Sequence, residues 1–93
     1  MSFLISINNK RRDKISSKDN FEDYKRKARK TIAENIYYAR NKNNISIEEL
    51  SEKTGISTFE LRHYEWGLAK LDFEKVCKIA FELKICWLDL VLD

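Results

Sequence analysis

Proline is absent from this 93-residue chain, and glycine occurs only twice, at Gly55 and Gly67. Sandwiches and barrels need many tight turns, and those turns are built largely from these two residue types. Their scarcity argues against an all-β architecture and for helices joined by short polar loops. Histidine occurs once, at His63, and cysteine twice, at Cys77 and Cys86, so no metal-ligand spacing can be assembled. The pieces of a catalytic site are missing as well: there is no glycine-rich phosphate loop and no clustered set of carboxylates. The chain is therefore expected to be no enzyme and to use no metal, cofactor or small-molecule substrate. Long apolar runs are also lacking. A membrane span needs about 20 apolar residues, and "MSFLISINNKRR" carries its charges on the wrong side for a secretory signal. The expectation is a soluble cytoplasmic protein with no membrane partner and two reduced thiols in the core or near the surface.

What the chain does hold is enough side-chain volume for one small core, with 43% hydrophobic and 12% aromatic residues. Its net charge of +3 conceals an asymmetry. Residues 1–30 carry ten Lys/Arg against four Asp/Glu, whereas residues 31–93 carry eight against eleven. This is a basic arm joined to an acidic body. Residues 1–19 read as that arm: "FLISI" is strand-like but short and isolated, and "NNKRRDKISSKDN" is polar and basic. Residues 20–93 read as the domain.

A helical period starts near Asn20, with Phe21, Tyr24, Ala28, Ile32, Ile36 and Ala39 at spacings of three and four. Asp19 and Glu22 form a plausible capping box for it, and Asn44 is a candidate for the left-handed residue that ends it. Ser46 stands three residues before Glu49, and Ser57 three before Glu60. Both pairs fit the Ser-x-x-Glu box. They set a second helix from Ile47 to Thr54 and a third from Thr58 to Trp66. Asp72 can cap a fourth, with Phe73, Val76, Ile79, Ala80 and Leu83 on one face, before a short apolar ending, "CWLDLVL".

Between Ser46 and Trp66 the spacing meets the steric needs of a helix-turn-helix. Leu50 and the small Ser51 face the core, Gly55 makes the turn, Ile56 plugs the corner, and Leu61 with Tyr64 holds the third helix down. The stretches "IAENIYYARNKNNISIEELSEKTGIS", "YEWG" and "FEKVCKIAFELKICWLDLVL" resemble the phage Cro/repressor (XRE-type) helix-turn-helix family. The resemblance runs from Ile32 to Leu92, and Glu65-x-Gly67 and "KIAFEL" are its most specific parts. It implies an all-α, compact five-helix lambda-repressor-like domain whose third helix lies in the major groove of double-stranded DNA, usually as a homodimer on a two-fold operator. Three positions depart from the family's pattern. Ile47 replaces a Gln that commonly touches backbone and base edge. Lys84 and Cys86 replace Gly and Ser, which is expected to weaken the stop and cap before helix five.

The functional reading is a sequence-specific, repressor-like regulator. Arg62 is the candidate reader, because a guanidinium can grip O6 and N7 of guanine together; the plainer reading is a solvated arginine paired with Glu65 or Glu60. Thr58 and Phe59 can meet a thymine methyl by apolar contact, and His63 can donate to a base or phosphate. Glu60 is read as a cap, with a hydrogen bond from cytosine N4 as the alternative. Ser46, Ser57 and Lys70 are candidate DNA-backbone contacts, joined by Lys10, Arg11 and Arg12 if the arm is more than a solubilising tail. Trp87, Leu88, Val91 and Leu92 are expected to form a dimer contact with at least two exposed in the monomer, unless Trp87 and Leu90 pack into the core under a frayed end. One feature points elsewhere. From Ile45 to Gly67 there are two cations, Lys53 and Arg62, against five glutamates, a poor balance for binding phosphates. The same scaffold used as a protein-interaction module, antirepressor or antitoxin-like, with a protein partner on Phe59, Trp66 and the apolar C-terminus, is the alternative.

Overall fold

The computed structural model describes residues 20–92, which hold five helices: α1 (Phe21–Lys42), α2 (Ile47–Thr54), α3 (Thr58–Glu65), α4 (Phe73–Leu83) and α5 (Leu88–Val91). The first four each start at a side chain that accepts a hydrogen bond from a backbone N–H three residues on. Asn20, Ser46, Ser57 and Asp72 cap α1 to α4 in this way. The cap of α1 is thus Asn20, which accepts from the N–H of Asp23 at 2.8 Å, and not the box centred on Asp19. Asp19 itself, the FLISI run and the basic residues Lys10, Arg11 and Arg12 lie outside the described residues.

Chain ends of helices are settled by left-handed residues. Asn44 (φ 56°) follows α1 and Gly55 (φ 77°) follows α2. Gly55 donates its N–H to Ser51 at 2.8 Å, which stops α2 and lets Ile56 drop into the core. Lys84 closes α4 in the same conformation, at φ 60°. A residue with a Cβ costs about 1–2 kcal/mol there, so the expected weak stop is instead a formed stop held under strain. Its N–H still reaches the Ala80 and Phe81 carbonyls.

The core forms where α1 crosses the other helices: it packs against α3, α4 and α5, while α2 packs against α3 and α4. Ile36, Leu50, Leu61, Ile79, Leu83 and Leu90 are fully buried, and Ile56 and Tyr64 seal the corner between α2 and α3. Ile47 is buried too. The side chain that stands in place of the family's Gln serves the core. The apolar stripes extend further in sequence than in burial. Phe21, Tyr24 and Ala28 are exposed because burial of α1 begins only at Ile32, and Phe73 is exposed at the edge of α4, edge-on to Trp87 at 5.3 Å.

Two polar devices fix the arrangement. Arg40, near the end of α1, grips Glu65 at the end of α3 through Nε–Oε2 (2.6 Å) and Nη2–Oε1 (3.0 Å), and its Nη1 donates to the Ile45 carbonyl at 2.8 Å. Asn35 donates from Nδ2 to the carbonyls of Leu90 and Leu92, at 3.1 and 2.7 Å, and ties the C-terminal turn to α1.

Removal of the Glu65 carboxylate by Glu65→Ala leaves a guanidinium whose side chain is only 12% exposed without its partner. The expected loss is about 3–5 kcal/mol of unfolding free energy, measured by urea denaturation. A second expectation concerns alkaline pH. Burial raises the Tyr64 phenol above its ordinary 10.0, against the opposing effect of a hydrogen bond at the Asp72 backbone. A raised value means that the folded chain keeps a proton which the unfolded chain gives up. The associated stability is complete below the unfolded value and is lost as pH rises through the folded one. The melting temperature should fall between about pH 9 and about pH 11, and Tyr64→Phe should shrink that fall.

Candidate nucleic-acid interface

α3 is eight residues long and is held by one side only. Leu61 and Tyr64 face inward, and Glu65 is locked to Arg40 at its end. The remaining positions face away from the core. Thr58 is half-buried in the first turn, Phe59 and Arg62 are exposed, and His63 is half-buried between Phe59 and Trp66. The three rings form a row along the helix, with centroid separations of 4.1 Å for Phe59–His63 and 5.4 Å for His63–Trp66. Phe59 is 70% exposed and Trp66 63%. Such apolar surface, left open on a helix anchored this firmly, invites a partner.

The tautomer of His63 follows from a local bond. Nδ1–H donates to the Phe59 carbonyl at 2.8 Å, so Nε2 of the neutral ring is an acceptor. The expected role of His63 as a donor to base or phosphate therefore needs the protonated ring; in neutral form it accepts.

The structure also reassigns the acids around α3. Ser57 Oγ accepts from the Glu60 N–H at 3.1 Å, as the box requires. The Glu60 carboxylate does not turn back to the helix start, however; it pairs with Lys75 of α4. Reach explains the difference, since a lysine across the corner offers a full charge where the cap offers one amide dipole. Arg62 pairs with neither Glu60 nor Glu65. Its Nη2 lies 3.0 Å from Glu48 Oε2, on the first turn of α2. No periodicity or cap signal pointed to Glu48, because its partner is fourteen residues away and meets it only once the corner is folded.

Beside α3, a shallow groove of about 420 Å³ is lined by Phe59, His63, Lys70, Leu71 and Lys75 among others. The fold thus brings Phe59, His63 and Lys70 to one groove, with Arg62 on the flank that faces α2. Ser46 and Ser57, the exposed caps of α2 and α3, point their helix N-termini to the surface, the polarity that attracts a phosphate. Farther off, Trp87 is exposed, whereas Leu88, Val91 and Leu92 are half-buried against α1 and the core. Of the four, only Trp87 stands as open as expected, because the Asn35 clamp folds the ending down. Cys77 and Cys86 are free thiols, half-buried and exposed respectively. No helix among the described residues is long and apolar enough to cross a membrane.

Two capped helices meeting at a left-handed glycine, with the second presented to solvent, define a helix-turn-helix domain. A family model described as helix-turn-helix matches residues 36–85, more than half of the chain. The chain belongs to this XRE-type helix-turn-helix family, and it is a DNA-binding regulator of that general kind. No curated protein and no solved structure matches it.

The Ser57 cap and the Glu60–Lys75 pair can be separated by mutation. Ser57→Ala should cost about 1 kcal/mol of stability, the usual loss for an N-cap. Glu60→Ala, which removes both the charge and any reach back to the helix start, should leave the melting temperature nearly unchanged, because its partner is a half-exposed lysine and surface pairs contribute little. Equal losses from both would restore Glu60 to the cap.

Proposed function

We propose that the protein is a sequence-specific, repressor-like regulator that places α3 in the major groove of double-stranded DNA. The observation that carries this reading is the outward set of Thr58, Phe59, Arg62 and His63 on a helix anchored at its far end by the buried Arg40–Glu65 pair. An anchored helix presents its side chains at fixed positions, which base-edge recognition needs. Arg62 reads a guanine, Thr58 and Phe59 meet thymine methyl groups, and neutral His63 accepts from an amino group of a base through Nε2. Ser46, Ser57 and Lys70 position the backbone. Lys10, Arg11 and Arg12 of the arm, residues 1–19, add phosphate contacts. A homodimer formed through Trp87, Leu88, Val91 and Leu92 sets two such helices on a two-fold site.

A second reading is favoured by one observation, the exposed Phe59–His63–Trp66 row, whose apolar character suits a protein surface better than a phosphate-lined groove. In that case the scaffold acts as an interaction module of the antirepressor or antitoxin type.

Selection of the full chain against a random double-stranded DNA library, at several salt concentrations, separates the two. The expected result is an enriched sequence with two-fold symmetry. Arg62→Ala should cost about 1–3 kcal/mol and relax the preference at one position in each half-site. Enrichment of no sequence, with all binding abolished by loss of residues 1–19, would leave the interaction-module reading standing.

A further inference from the structure

Resting on the reading above, we propose that Glu48 is a specificity-determining residue: it holds the Arg62 guanidinium in its reading orientation and keeps phosphates away from it. Arg62 is the one arginine on α3, and its side chain is 45% exposed. An arginine that free has many rotamers, and fixing it on a base would cost side-chain entropy. The Glu48 carboxylate reaches it from another helix, Nη2–Oε2 3.0 Å, across the folded corner between α2 and α3.

The donors add up in favour of a shared arrangement. A guanidinium has five N–H groups, two on each terminal nitrogen and one on Nε. The recorded contact uses Nη2 alone, so Nη1 and the second N–H of Nη2 stay available for guanine O6 and N7. Glu48 therefore need not leave when DNA arrives. A carboxylate at this point also changes what Arg62 can hold. Its charge offsets that of the arginine, which weakens the sequence-independent attraction to phosphate on which non-specific binding depends. The bidentate contact with guanine depends on geometry as well as charge and is kept. The pair is solvent-exposed, so little fold stability depends on it, and the effect should appear in recognition.

The test uses the full chain and the sequence enriched from the random library, with affinities for that sequence and for a scrambled duplex measured at one salt concentration. Glu48→Gln keeps side-chain length and removes the charge. Its melting temperature should match that of the parent. Its affinity for scrambled DNA should rise and its specific-to-scrambled ratio should drop about tenfold, within the range of one bidentate contact. In the Arg62→Ala background, Glu48→Gln should no longer lower the ratio, since there is no guanidinium left to orient. A ratio that is unchanged or increased in Glu48→Gln, while Arg62→Ala does relax the preference, overturns the role of Glu48 and leaves α3 as the reader. If Arg62→Ala itself leaves the preference unchanged, the underlying reading of Arg62 falls, and this inference with it.

Discussion

Arg40 and Glu65 sit at the ends of α1 and α3, and their bidentate pair is where three parts of the chain are fixed at once. The guanidinium holds the carboxylate with two nitrogens and the Ile45 carbonyl with the third. It thereby joins the long helix, the loop that leads into α2, and the last residue of α3. A pair this buried contributes less to net stability than its geometry suggests, because both charges had to leave water. Its value is positional. Hydrophobic packing by Leu61 and Tyr64 draws α3 to the core but tolerates small rotations. A two-pronged guanidinium tolerates few. The direction in which Phe59, Arg62 and His63 point is a consequence of this constraint.

The same ionic pairing alters the electrostatic reading of the surface. Five glutamates between Ile45 and Gly67 face two cations when counted along the sequence. In the folded chain, three of those five are paired: Glu65 with Arg40, Glu60 with Lys75 and Glu48 with Arg62. Two of the three partners, Arg40 and Lys75, lie outside the counted window. The deficit is real as a sum but smaller as a local field, because each paired acid is offset within a few ångströms. Two acids of the five have no such partner: Glu49, in the first turn of α2, where a negative charge suits the helix dipole, and Glu52, further along the same helix. The five-to-two balance is one of neighbours in sequence, whereas a phosphate responds to neighbours in space.

How far the sequence could be read follows the range of the interactions involved. Caps and turns act over three or four residues, and Ser46, Ser57, Asp72, Asn44 and Gly55 were all legible from spacing. The corner residues Leu50, Ile56, Leu61 and Tyr64 followed from a steric pattern only slightly longer. Legibility failed where a partner came from elsewhere in the fold. Glu60 looked like the second half of a cap until Lys75 came within reach, and Arg62 found Glu48 instead of a glutamate of its own helix. Asn35 gave no signal at all, yet it holds the C-terminal turn through two carbonyls more than fifty residues away. Periodicity had a different weakness: it carried on through Phe21, Tyr24 and Phe73 because a helix can be amphipathic beyond the point where anything packs against it.

Phe59 then has a reason to be where it is. Beside it, His63 is fixed by a bond to the Phe59 carbonyl, and Trp66 follows on the next turn. Ring side chains have little entropy to lose on making a contact, which suits such a row to a recognition surface. A helix with one arginine cannot rely on many charged contacts, and each contact it does make has to come from a side chain already in position. Apolar rings and a guanidinium held as proposed by Glu48 would satisfy that requirement where flexible lysines would not. On the proposed reading, such a surface discriminates more than it attracts. Attraction must then be supplied elsewhere, and the ten Lys/Arg of residues 1–30 against four acids are the part of this chain with the charge to supply it.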